Sequence, residues 1–117
     1  MKADFAELDV GDKTYYVSHR PLSWWDADAA CKALGRDGLV KVDDLITGWN
    51  GGYDYNSHKF TDLGKALQSH YGTDWFIWTN NSTDGINSCH AYYVGLLNGT
   101  VGNYARSDYY FFYAVCR

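Results

Sequence analysis

Residues 21–35 read PLSWWDADAACKALG, and the fold turns on them. Pro21 stops an extended segment, because its ring removes a backbone donor and fixes φ. Ser23 is a good N-cap, and Asp26 stands three residues on, where a capping-box acid would lie. Trp24, Ala27, Cys31 and Leu34 recur at spacings of three and four, so they share one face of a helix. Gly35 supplies the left-handed residue that ends it. The stretch therefore predicts a helix from Ser23 to Gly35 whose buried face carries a cysteine.

Working outward, Phe5, Leu8 and Val10 precede Gly11-Asp12-Lys13, and the β-rich run Thr14-Tyr15-Tyr16-Val17 follows, so the chain opens with a hairpin. Beyond the helix come a short Gly38-Leu39-Val40 strand and a helical turn opened by Asp43-Asp44-Leu45. Residues 47–59 (TGWNGGYDYNSHK) are loop by composition. Thr61 caps a second helix with Leu63, Ala66 and Leu67 inward and Gly72 as its stop. The pattern then turns to β. Trp75 to Thr79 is a strand, Asn80 to Cys89 a polar loop, and Ala91 to Leu97 a strand. Asn98-Gly99 signals a type I′ hairpin, Thr100-Val101 begins the return, and Tyr109 to Cys116 is the closing strand. The expectation is a single α+β domain over 1–117, with two helices packed on small antiparallel sheets.

The 117 residues leave room for one core. Five Trp and eleven Tyr are many for this length, and such rings serve both sheet interiors and contact surfaces. Ten Lys and Arg against fourteen Asp and Glu give a net charge of −4, which argues against a nucleic-acid partner. No stretch approaches the ~20 apolar residues of a membrane span. The N-terminus, Met1-Lys2-Ala3-Asp4, lacks the apolar core of a signal peptide. If the domain is extracellular, it is expected to be a monomeric piece of a longer chain.

The arrangement resembles the C-type-lectin-like domain over nearly the whole chain. The resemblance is carried by the opening strand at Thr14–Val17, the Cys-bearing first helix and the Trp75–Trp78 strand, which stands where that family has its core-sealing motif. The ending Tyr113-Ala114-Val115-Cys116-Arg117 completes it. Leu22 to Ala27, Ile77-Trp78-Thr79 and Ala91 to Leu96 with Asn98-Gly99 are most similar to bacterial versions, such as the terminal domains of intimin- and invasin-type adhesins. The resemblance implies a disulfide between Cys31 and Cys116, an extracellular or cell-surface location and a binding role without catalysis. It implies no calcium or other cofactor, because the sugar-binding members use a Glu-Pro-Asn or Gln-Pro-Asp loop and the single proline here is Pro21. Trp49-Asn50 is followed by Gly51 and lies too early to be the family's Trp-Asn-Asp. The usual second disulfide is half missing, so Cys89 is expected to be a free, buried thiol, the alternative being an intermolecular partner.

Asn80-x-Ser82-x-Asp84-Gly85 imitates the start of a calcium loop, but its twelfth position is Ala91 rather than an acid, and a polar turn is the plainer account. His19, His58, His70 and His90 show no metal-binding spacing. A formylglycine-generating oxidase, which shares a related fold, needs two reactive cysteines, whereas the implied disulfide leaves Cys89 alone. Recognition is instead expected at 79–90 and 102–109, through Trp78, Asn80, Asn81, Asp84, Asn103, Tyr104, Arg106, Asp108 and Tyr109. Small polar residues around Tyr and Arg make a paratope-like composition. Trp49, Tyr53, Tyr55 and His58 form a second aromatic cluster alongside. The expected partner is a protein receptor on another cell surface, with glycan recognition through the aromatic loops as the alternative.

Overall fold

A computed structural model describes residues 4–83 and 89–117. Strands β1 (Phe5–Val10) and β2 (Lys13–Ser18) form the expected hairpin, in register from Phe5 opposite Ser18 to Val10 opposite Lys13. Helix α1 (Trp24–Ala33) follows, with the Ser23 hydroxyl accepting from the Asp26 N–H and Gly35 at φ 78° beyond its end. The one-turn α2 (Val42–Leu45) leads through the 46–60 segment to α3 (Asp62–Tyr71), where the Thr61 hydroxyl accepts from the Gly64 N–H. Strands β3 (Phe76–Ser82), β4 (His90–Gly95), β5 (Val101–Ala105), β6 (Phe112–Tyr113) and β7 (Val115–Cys116) complete the chain. The domain is thus α+β, with three helices and two sheets among the described residues.

The sheets run in the orders β1-β2-β7 and β5-β4-β3-β6. Side chains alternate across a strand, and both faces of the larger sheet are covered. Along β3 and β4, Trp78 and Ala91 turn to a cluster with Trp24, Ala27, Cys31 and Phe112, against which Tyr93 packs. Ile77 and Val94 turn to a second cluster with Val42, Leu45, Leu63 and Leu67. Helix α1 therefore serves one core, and α2 with α3 the other. The tail serves both, since Val115 joins the second cluster and Cys116 the first. The Cys31–Cys116 disulfide is present, with both residues fully buried.

Three local expectations are corrected. The tail is not one strand from Tyr109. It pairs parallel with β3 at Phe112 and Tyr113, then antiparallel with β2 at Val115 and Cys116. Ala114 is the crossing point, held by Ser18: the Ser18 N–H donates to the Ala114 carbonyl at 2.9 Å and the Ala114 N–H to the Ser18 hydroxyl at 3.0 Å. Asn98-Gly99 is not a type I′ turn, because among the described residues no non-glycine has positive φ. The Gly99 N–H donates instead to the Gly95 carbonyl, closing a wider loop in which Gly99 alone is left-handed at φ 72°. Asn80 to Ser82 belong to β3 rather than to a loop. The register passes from Trp78 opposite Tyr93 to Ser82 opposite Ala91, so three β3 residues face one on β4. This bulge is closed by the Thr79 hydroxyl donating to the Tyr92 carbonyl at 2.7 Å.

Candidate functional site

The segment 47–59, expected as a loop, is tied down along its length. Asp54 pairs with Val101 through two backbone hydrogen bonds of 2.8 and 2.7 Å, and the His58 N–H donates to the Asn98 carbonyl. The His58 ring is clamped between Asp54 Oδ2 at 3.0 Å and the Gly99 carbonyl at 2.7 Å. A backbone hydrogen bond from Asn56, with His58 nearby, holds the Asp54 carboxyl below its usual pKa despite some desolvation. Trp49 donates its indole N–H to the Gly52 carbonyl and packs edge-on against Tyr92. Trp49 and His58 therefore shape the segment, while Tyr53 and Tyr55 project from it, 53% and 65% exposed with ring centroids 4.3 Å apart.

The Asp54–Val101 pairing lays this segment beside the outer edge of β5. On β5, Gly102 lies under the Tyr93 ring, where any Cβ would stand 2.5 Å from the phenol oxygen. The missing side chain lets Tyr93 lie across the sheet. Burial raises the pKa of the Tyr93 hydroxyl, and the neighbouring Tyr55 and Tyr104 phenols raise it further. Tyr104 is 47% exposed and leans on Phe112, with ring centroids 5.6 Å apart. Tyr53, Tyr55 and Tyr104, from the two regions expected to bind, thus make one surface around Tyr93 of β4, a residue not expected there.

Other expected site residues are employed otherwise. Trp78 is fully buried, stacked on Phe112 at 4.0 Å with its indole N–H on the Leu22 carbonyl, so it belongs to the core and not to a binding surface. Arg106 is also buried. Its guanidinium lies 4.1 Å from the Trp24 ring and 5.0 Å from Trp25, its Nε donates to the His90 carbonyl, and burial lowers its pKa. It is a packing residue rather than an exposed anchor. Asn81 accepts from the Val42 N–H, Asn103 meets the His90 ring at 2.8 Å, and Asp108 accepts from the Tyr110 N–H. Asn80 is exposed on the bulge, and Asp84 lies outside the described residues. Tyr109 is 51% exposed and stacked on Tyr110.

The sequence reading missed Tyr110 and Phe111, both exposed, because they were assigned to the closing strand. It also missed Trp25, whose place beside Trp24 puts it off the helix's buried face. Cys89 is exposed, not buried as expected: it lies just outside β4, beyond the cover of either core. Among the described residues no group of three or more His, Cys, Asp or Glu is placed to hold a metal ion, and no helix is long and apolar enough to cross a membrane.

These features define the chain as a small disulfide-closed α+β domain with a tyrosine-rich surface on tethered segments. No family model matches the chain, and no curated protein is similar to it at a significant level.

Proposed function

We propose that the chain is a C-type-lectin-like domain acting as a calcium-independent recognition module of a bacterial surface or secreted protein, binding a protein partner without catalysis. The lectin-like assignment is supported by the hairpin that pairs with the terminal strand, by the α1-to-tail disulfide and by the Trp78 strand sealing the core. The disulfide also favours an oxidising, extracellular setting.

The observation that carries the binding reading is the merged surface of Tyr53, Tyr55, Tyr93 and Tyr104. Tyrosine supplies much contact area at small entropic cost. Here the rings are fixed in advance by the Asp54–Val101 pairing, the His58 clamp and the packing of Tyr104 on Phe112. Such preorganisation lowers the ordering cost of association.

Flow cytometry of the labelled domain on a panel of bacterial and animal cells tests the reading. Binding should survive EDTA and protein-sparing glycosidases, and should fall with protease treatment of the cells. Tyr55→Ala and Tyr104→Ala should each weaken it by about 1–3 kcal/mol. Loss of binding in EDTA, or full binding by the double variant, would overturn the proposal.

A further inference from the structure

We propose a second, separate binding site: a groove between α1 and the β3 bulge, built to hold a saccharide. It has a volume of about 280 Å³ and shares no residue with the tyrosine surface. One wall is Trp25, 49% exposed. Its ring is held edge-on to Trp24, with centroids 5.2 Å apart and planes at 87°, and lies over the Arg106 guanidinium. An aromatic plane fixed in this way and still open to solvent is a prepared stacking surface.

The rest of the groove is polar, with donors and acceptors mixed. Asp28 and Lys32 line it as an ion pair at 3.0 Å, the Asp28 side chain 17% exposed. Asn80 comes from the bulge, where its N–H donates to the Val40 carbonyl and its side chain stays exposed, and Ser82 from the register position that ends it. A carboxylate accepts, an ammonium donates, and an amide or hydroxyl does both.

A flat apolar wall beside such a set matches a pyranose. Its C–H face can lie on an indole, while its rim hydroxyls need donors and acceptors together. The volume falls just under the roughly 300–1,000 Å³ of drug-sized sites, which suits one small ring better than a peptide. A phosphate would call for open cationic donors, but Lys32 is paired with Asp28 and the other cation of the lining, Arg106, is buried against the Trp24 and Trp25 rings.

The test is an NMR titration of the ¹⁵N-labelled chain, following the Trp25 indole N–H and, in every variant, the backbone amides of Lys32 and residue 80. The probes are methyl glycosides of glucose, galactose, mannose and N-acetylglucosamine, with cellobiose, lactose and chitobiose. At least one should shift the indole resonance saturably. Asn80→Ala, a change at an exposed side chain, should weaken the binding, and Trp25→Ala should weaken it at least about tenfold. Tyr104→Ala should leave it unchanged. If Trp25→Ala fails to fold, Trp25→Phe with Asn80→Ala decides the matter. The proposal falls if no probe moves the Trp25 signal, if inorganic phosphate moves it instead, or if binding survives both groove variants. None of these outcomes bears on the tyrosine surface, which is read on cells.

Discussion

Arg106 and Tyr104 stand two residues apart on the same edge of the sheet and have opposite duties. The Arg106 guanidinium is enclosed by Trp24, Trp25 and the His90 carbonyl, so it exchanges hydration for two ring faces and a hydrogen bond. Cation–π contacts reach about 2 kcal/mol when desolvated, and a stranded carbonyl adds to the loss. Arg106→Ala should therefore lower stability by about 2–3 kcal/mol in urea unfolding, whereas Tyr104→Ala should change it by less than about 1 kcal/mol. Equal effects of the two would show that Arg106 is not the packing residue its burial describes. Tyr71 gives a pH signature. Its hydroxyl donates to the Ser18 carbonyl at 2.6 Å, its ring stacks on Tyr113, and burial raises its pKa well above the usual 10.0. The folded state thus retains a proton that the unfolded chain releases near pH 10. The stabilising contribution is complete below that pH and falls as pH rises toward the folded-state value. Thermal melts from pH 9 upward should show a steep decline that Tyr71→Phe flattens, at a loss of about 1 kcal/mol at neutral pH for the hydrogen bond. A parallel decline in both proteins would exclude Tyr71 as the cause.

At the scale of elements, α3 approaches α2 through a residue with no side chain. A Cβ on Gly64 would collide with the Leu45 carbonyl oxygen and stand 2.7 Å from Phe60 Cδ1. In an open helix Gly→Ala gains about 1 kcal/mol. Here overpacking should dominate, so Gly64→Ala should destabilise by about 1–3 kcal/mol in chemical unfolding. A stabilised variant would mean that α3 can move off α2 freely. Elements with local causes were legible: Ser23, the Trp24/Ala27/Cys31 spacing and Gly35 mark α1, and Thr61 and Gly72 mark α3. Elements decided by partners were not. Tyr109 to Cys116 reads as one β-rich run, yet Ser18 and β3 split it between two sheets. The bulge at Thr79 likewise depends on a carbonyl of β4. The candidate site divides in the same way. Composition marked Tyr53, Tyr55 and Tyr104 as contact residues, but their union depends on the long-range Asp54–Val101 pairing. Burial of Trp78 and Arg106 depends on α1 covering them, which residue type does not reveal.

At the scale of the molecule, two cores share one sheet, and the last residues of the chain join them. Cys116 sits in the α1 core, Val115 in the α3 core, and Cys116 also bridges to Leu39 across the backbone. The tail is short: β7 has two residues and meets β2 at two register positions. On its other side it is tied to residues 38–40, where the Val40 N–H donates to the Val115 carbonyl and the Arg117 N–H to the Gly38 carbonyl. The Cys31–Cys116 disulfide closes a span of 85 residues. By loop entropy such a link disfavours the unfolded chain by about 4–5 kcal/mol, an upper figure before any compensating effects. A domain of this kind has a total stability of about 5–15 kcal/mol, so the bond is a large share. The double variant Cys31→Ala, Cys116→Ala should lose about 3–5 kcal/mol in urea unfolding. Thiol labelling of the native wild-type protein should modify the exposed Cys89 and spare the other two. In the double variant the loosened tail should expose the Tyr71 contact, seen as faster amide exchange at Ser18 and Ala114 than at the β3–β4 ladder. A loss under about 1 kcal/mol, with exchange at Ser18 unchanged, would mean that packing alone secures the tail.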